Sequence, residues 1–470
     1  MKSTDIRVKG VCLYFIPVKT RVPLKFGKEV LTDVTVARVC VRVEDRNGKY
    51  SYGWGETPLS IQWVWPSTRP YAERYNGVVS FIRKVAHHVC NFSEQGHPVE
   101  IGYKFLENVL PRLMKQFNTG TLTEPLPKLA GLLCCAPFDL AIHDAYGNLL
   151  GIPTYNTYNA DYMNFDLTEF ITPSADLRDA ISFKGMYPAD FLEFPLPERI
   201  LVWHLVGGLD TLEDTEVTKK PKDNYPNSLR EWIRNDGLKC LKVKLRGDDF
   251  EWDYHRLVKV GSIGIEEGVN WLSADFNCTV KETTYVVKIL DKLMREYPRI
   301  YGMLLYVEQP FPYELEDFPV DVRSVSARKP LFMDESAHDW RVIMRGRELG
   351  WTGVALKTCK TQTGALLSLC WAKAHGMLLM VQDLTNPMLA QIPHVLLGAH
   401  AGTIMGVESN SMQFYPDASE PEARVHPGLY KRRDGYLDLR SIRGPGFGMR
   451  VNEIERKLPP HDLVIGDIGF

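Results

Sequence analysis

The chain has 470 residues, 44% of them hydrophobic and 24% charged, with a formal net charge of -2. That length exceeds one ordinary core and predicts two domains, or a barrel with an attached domain. The composition excludes disordered, collagen-like and coiled-coil classes, and the near-neutral charge offers no field to recruit nucleic acid or an anionic membrane, so the expected partners are small molecules.

The first part reads as strands. "DIRVKGVCLYFIPV" and "TDVTVARVCVRVEDRNGKYSYGWGE" alternate apolar residues, and Asn47-Gly48 predicts a hairpin turn. "VVSFIRKVAHHVCNF", "GYKFLENVLPRLMKQF" and "KLAGLLCCAPFDLAIHDAYGNLLG" then carry apolar residues at helical spacing, the last stopping at Gly151 before Pro153. Strands followed by helices predict an α+β domain over residues 1–140. Between Asn159 and Arg199 the chain turns aromatic, acidic and proline-containing, as an inserted lobe or long loop would. From Ile200 onward eight short apolar strands alternate with amphipathic stretches: "RILVWHLV", "LKCLKVKL", "NWLSADF", "GMLLYVEQP", "PLFMDES", "WTGVALKT", "GMLLMVQD" and "GTIMGVES". This alternation predicts a parallel β/α barrel.

Nine cysteines, odd in number and scattered through apolar runs, read as reduced buried thiols and place the protein in the cytoplasm. The apolar run near the N-terminus is too short to span a bilayer and lacks a small-residue cleavage site, so neither signal peptide nor anchor is expected.

Every barrel strand after the first ends in a polar or ionisable group, and in such barrels the C-terminal strand ends face the active site. The second strand offers Lys242 and Lys244, which share a face because a strand alternates with a period of two. The third offers Asp275 and Asn277, the fourth Glu308, the fifth Asp334 and Glu335, and the sixth Lys357. From Lys244 through Asp275, Glu308 and Asp334 to Lys357 the steps are 31, 33, 26 and 23 positions, about one strand-helix unit each. Three carboxylates at one mouth repel: two like charges about 4 Å apart at an effective dielectric of about 20 cost roughly 4 kcal/mol. A positive group must sit among them, and all-oxygen ligation with open positions suits Mg²⁺.

K-x-K, D-x-N, V-E-Q-P, D-E-S and L-K-x-x-K, in that order on successive strands, resemble the enolase superfamily, specifically the mandelate racemase/muconate lactonizing enzyme family and its muconate-lactonizing-enzyme-like branch. The resemblance covers nearly the whole chain: "RVPLKFG" and "GWGETPLS" look like the mobile cap loops, "FDLAIHDAYGNLLGIP" like the domain junction, and "GPGFGMRVNE" like the returning C-terminal segment. It implies an α+β cap over 1–140, a modified (β/α)7β barrel over 141–430 with the insertion at about 159–199, and a segment 431–470 that returns to the cap. It further implies one Mg²⁺ held by Asp275, Glu308 and Asp334, with Lys244 and Lys357 as acid/base catalysts that remove a proton α to a carboxylate. Mg²⁺ would neutralise the charge of the resulting enediolate. Lys242 is expected to lower the pKa of Lys244 through like-charge repulsion and desolvation. Asn277, Gln382, Asp383 and Glu408 are candidate substrate contacts.

Two lysines on opposite faces favour racemisation or epimerisation by an isomerase acting on a small-molecule carboxylate. One-base cycloisomerisation and β-elimination by a lyase stay open, as do, in other classes, a Schiff-base lysine enzyme and a non-catalytic binding protein. A homo-oligomer that engages neither nucleic acid nor membrane is expected. Lys360 reads as a helix-start or surface lysine, and Glu335 as a supporting acid or a cap. Trp63 and Trp65 could stack on an apolar group. Specificity is expected in the loops around Val18 to Lys28 and Glu56 to Trp65.

Overall fold

In the computed structural model, residues 2–26, 28–120, 124–217, 221 and 223–469 are described; Gly27, inside the Val18 to Lys28 segment, lies outside them. Strands β1 (Ile6–Phe26), β2 (Glu29–Asp45) and β3 (Tyr50–Pro58) form an antiparallel meander. The Asn47-Gly48 turn is made as expected: Gly48 has φ 81°, and Asp45 Oδ1 accepts from Asn47 N and Lys49 N, both at 2.9 Å. The strands run further than the sequence reading had them. Residues 18–26, read as a loop, continue β1 because Val18, Leu24, Leu31 and Val34 bury together against Leu205 and Tyr415 at the barrel mouth.

Helices cover this sheet on one side. Pro98–Lys104 runs into Leu110–Asn118 through a π turn at Phe105–Val109, and Pro111, which lacks an N–H, follows at once. The helix Lys128–Leu150 is buried almost all round and ends at Gly151 in the left-handed region, φ 73°. It lies so close to β3 that a Cβ on Gly53 or Gly55 would collide with its backbone. It also crosses residue 140, so the expected boundary falls within a continuous helix rather than a linker.

Eight parallel strands close into a barrel: β4 (Arg199–Val206), β5 (Cys240–Lys244), β6 (Trp271–Asp275), β7 (Leu304–Glu308), β8 (Leu331–Met333), β9 (Gly353–Leu356), β10 (Leu378–Val381) and β11 (Val407–Glu408), with β11 pairing back onto β4. All eight are the strands read from the sequence. Their inward residues form a small core of Trp203, Cys240, Tyr306, Phe332 and Met380, while Leu241, Val243, Leu272 and Val307 pack outward on the helices. The stretch 159–199 is mostly turns and short 3₁₀ pieces rather than a lobe. It clasps the barrel's outer helices: Ser174 N donates to His375 Nε2 at 3.0 Å, and Trp371 Nε1 to Thr172 O at 2.9 Å. After the barrel, β12 (Tyr436–Asp438) adds antiparallel to β4, and β13 (Leu463–Gly466) pairs with β1. The C-terminal segment thereby completes the cap sheet. Among the described residues no helix is long and apolar enough to cross a membrane.

Candidate active site

Register places the ionisable residues before any side chain is considered. Lys244, Asp275 and Glu308 are direct neighbours across β5, β6 and β7, and Lys242 lies one layer deeper, beside Ser273. Both lysines point inward, as the period of two requires. Lys242 is 2% exposed and reaches three acids: Glu308 Oε1 at 2.7 Å, and Asp275 Oδ2 and Glu408 Oε2 at 3.1 Å each. Lys244 Nζ donates to Asp275 Oδ2 and, at 3.0 Å, to Asn277 Oδ1. Across the barrel, Lys357 Nζ lies 3.1 Å from Asp334 Oδ2 and donates to Asp383 O at 2.9 Å. Lys244 ends β5 and Lys357 follows β9, four strands round an eight-strand barrel, so the two amines face each other across its diameter.

A small chamber lies between them. Lys242, Lys244, Asp334, Lys357, Asp383 and Glu408 form its polar floor, and Leu24, Phe26, Leu31, Trp63, Leu205 and Tyr415 its apolar roof. Asp275 and Glu308 stand behind Lys242. Of the four candidate substrate contacts, Asp383 and Glu408 border the chamber. Gln382 has its amide committed to Lys242, Glu308 and Tyr306, and Asn277 bridges Lys244 to Glu335.

Burial alone would raise every carboxyl here, so the direction of each shift reports its neighbours. For Asp275 burial is outweighed by the Lys244 and Lys242 ammoniums, which hold the carboxyl below its usual range; for Asp334 it is outweighed by Lys357 and Lys360. Glu308 goes the other way. Burial and the Asp275 charge push it well above the usual range despite Lys242. Lys242 and Lys357 are themselves held above the ordinary lysine value, against burial, by Glu308 and by Asp334 respectively. The charge of Lys242, expected to act on Lys244 by repulsion, is thus shared among three acids.

Four lysines stand among the acids: Lys242, Lys244 and Lys357, which the sequence reading set beside the metal ion, and Lys360, which it did not. Among the described residues no three His, Cys, Asp or Glu side chains converge as a ready metal cluster. The donor chemistry nonetheless fits a hard divalent cation. Three carboxylates come from three adjacent strands, and the mouth holds six acids (Asp275, Glu308, Asp334, Glu335, Asp383, Glu408) against four lysines (Lys242, Lys244, Lys357, Lys360), a formal excess of two negative charges.

A family model described as enolase C-terminal domain-like matches residues 224–455, which span most of the barrel and part of the returning segment. The barrel region of this chain belongs to the enolase superfamily. Solved structures of that kind share the chain's fold over nearly their whole length at low identity. Muconate lactonizing enzyme from Pseudomonas fluorescens, complexed with muconolactone, is 13% identical with TM-score 0.61, over 94% of this chain and 96% of that one. The N-succinyl Arg/Lys racemase from Bacillus cereus is 15% identical with TM-score 0.59, over 98% and 100%. The dipeptide epimerase from Cytophaga hutchinsonii, complexed with Mg and the dipeptide D-Ala-L-Val, is 17% identical with TM-score 0.55, over 88% and 89%. No curated protein sequence matches the chain.

Within this enolase-superfamily barrel, the sequence reading misplaced Lys360, and the two tryptophans it offered for stacking part company. Lys360 is not on the surface: it is buried, with Nζ 3.2 Å from Asp334 Oδ1. The signal was its setting, between Lys357 and the apolar helix Gln362–Ala374. Trp63 roofs the chamber, its ring 5.0 Å from Lys357 Nζ, and its indole N–H donates to Glu335 Oε1 at 3.0 Å, so Glu335 supports the cap as well as its neighbours. Trp65 does not reach the chamber and donates instead to Glu124 at 2.9 Å.

Proposed function

We propose that this protein removes and returns a proton α to the carboxylate of a small-molecule substrate, as a Mg²⁺-dependent isomerase of the racemase or epimerase type. The observation that carries the reading is the pair of lysines on opposed strands bordering one chamber. Asp275, Glu308 and Asp334 would hold the ion. When bound, Mg²⁺ supplies positive charge beside the substrate carboxylate as the α-proton leaves. In one direction Lys244 Nζ takes the proton from one face and Lys357 Nζ delivers one to the other; in the reverse direction their roles exchange. Asn277 and Asp275 aim Lys244, while Asp334 and the Asp383 carbonyl aim Lys357. The apolar roof of Leu24, Phe26, Trp63 and Tyr415 keeps water from quenching the carbanionic intermediate.

The test is α-deuterium incorporation in heavy water with Mg²⁺ and a library of carboxylic acids, followed by NMR. Exchange that stops on chelation and resumes with added Mg²⁺ supports the reading. Lys244→Ala and Lys357→Ala should each abolish exchange from one face only. If one of them exchanges and turns over like the parent, two-base chemistry is wrong, and one-base cycloisomerisation or elimination takes its place. Metal-independent trapping of a carbonyl compound by borohydride would point to a Schiff-base lysine instead.

A further inference from the structure

The chamber between Lys244 and Lys357 has a volume of about 40 Å³, little more than the share of one water molecule in the liquid. A substrate of any length must therefore extend out of it. Beside it lies a groove of about 350 Å³ lined by Lys25, Lys28, Leu209, Arg246 and Trp252, and Lys244 borders both spaces. The wall between them is the end of β1. Leu24 and Phe26 line the chamber, and Lys25 between them lines the groove, as strand alternation dictates. The wall is docked on the barrel: Gly208 N donates to Lys25 O at 3.0 Å, and Arg21 pairs with Asp223 at 2.7 Å and Asn227 at 2.9 Å.

Besides Lys244, three cations from two segments meet in this groove, Lys25 and Lys28 from the β1–β2 hairpin and Arg246 beyond β5, and Asp248 also lines it. Arg246 is engaged by Asp248 at 3.1 Å and Asp249 at 3.2 Å. Among the described residues neither Lys25 nor Lys28 has an ion-pair partner, although Lys25 is partly buried. The Lys25 stem packs beside Gly208 while Lys28 is exposed, and with no acid among the described residues paired to them both ammoniums are open to an anionic ligand. Leu209, 57% exposed, and Trp252 add apolar wall beside these charges.

We propose that the groove binds the second anionic group of an extended substrate, a carboxylate or phosphate joined by an apolar linker to the reacting carboxylate and held by Lys25 and Lys28. This rests on the proposed chemistry at Lys244. The test is calorimetric titration of the full chain in Mg²⁺ buffer with the dicarboxylates from glutarate to suberate, their monoamides, and the matching ω-phosphonocarboxylates. The parent should bind at least one diacid about tenfold more tightly than its monoamide. That ratio should collapse towards one in the Lys25→Ala, Lys28→Ala double variant and shrink at high salt. The phosphonate arm decides which anion is preferred. Equal binding of diacid and monoamide, binding of no diacid at all, or an unchanged ratio in the double variant overturns the proposal. Because binding is read without turnover, the two readings fail separately. A lysine-dependent preference without α-proton exchange sinks only the chemistry, and exchange without the preference sinks only the groove.

Discussion

The barrel mouth and the seam where the helix Lys128–Leu150 meets the barrel are both buried and polar, yet they settle their charges by opposite means. In the seam, Asp139 accepts from Thr363 N and Thr363 Oγ1, each at 2.8 Å. Thr363 Oγ1 lies 3.0 Å from His143 Nε2, and His143 Nδ1 lies 3.0 Å from the Tyr158 hydroxyl. Burial lifts Asp139 to about 6 and lowers His143 to about 3, so this chain of hydrogen bonds tends towards neutrality. At the mouth, lysines hold Asp275 and Asp334 ionised against the same burial, with acids in excess. The seam, which joins domains, tends to shed charge, whereas the proposed site, which would meet a cation and a carboxylate, keeps it at Asp275 and Asp334. The difference separates structural from chemical polarity without reference to any relative.

The largest effect tests the mouth. Glu308→Gln should cut α-proton exchange about ten-thousandfold, yet in metal-free buffer its melting temperature should change little, because Asp275 and Glu408 still pair with Lys242 and the lost carboxyl is one that burial and the Asp275 charge disfavour. A large fall in melting temperature would make Glu308 a structural residue and erase the contrast. Next comes the ion cluster linking cap and barrel, where Arg38 is buried between Glu56 and Glu422. Arg38→Met should cost about 3–5 kcal/mol in urea unfolding, since it strands the buried Glu56 and leaves Glu422 with Arg456 alone.

The neutral seam predicts pH slopes of opposite sign. His143 is neutral in the fold, so its contribution is complete above pH 6.5 and is lost as pH falls from 6.5 towards about 3. His143→Gln should flatten that limb by about 1.4 kcal/mol per pH unit. Asp139 is raised from 3.8 to about 6, so its contribution shrinks as pH rises through that window. Asp139→Asn should remove that decline and steepen the acid limb instead. Urea midpoints between pH 3 and 7 read both, and equal slopes in the two variants would show that the seam is not neutral. The smallest effect belongs to the surface. Arg83 pairs with Asp462 at 2.7 Å but is half exposed, so Arg83→Ala should change stability by less than about 1 kcal/mol.

Much of the barrel was legible because each strand carries its own signature, a short apolar run closed by an ionisable residue, and the register of Lys244, Asp275 and Glu308 follows from strand pairing alone. The lysine compensation was not legible. That Lys242 reaches Glu308 and Glu408, and Lys360 reaches Asp334, depends on side-chain reach across the barrel, which spacing along one strand does not encode. Nor could residues 159–199 be placed, because their irregular backbone owes its order to contacts with helices some two hundred positions away. The extension of β1 through residues 18–26 was hidden for a similar reason: its apolar residues bury against a distant segment of the chain.

The pairing of β13 with β1 bears on how the molecule is made. β1 has one edge that β2 does not cover, and it waits for residues 463–466, more than four hundred positions further along the chain. Throughout translation that bare edge is a template for the wrong partner. Nascent chains halted before residue 463 should accordingly be the most prone to aggregate and to recruit chaperones.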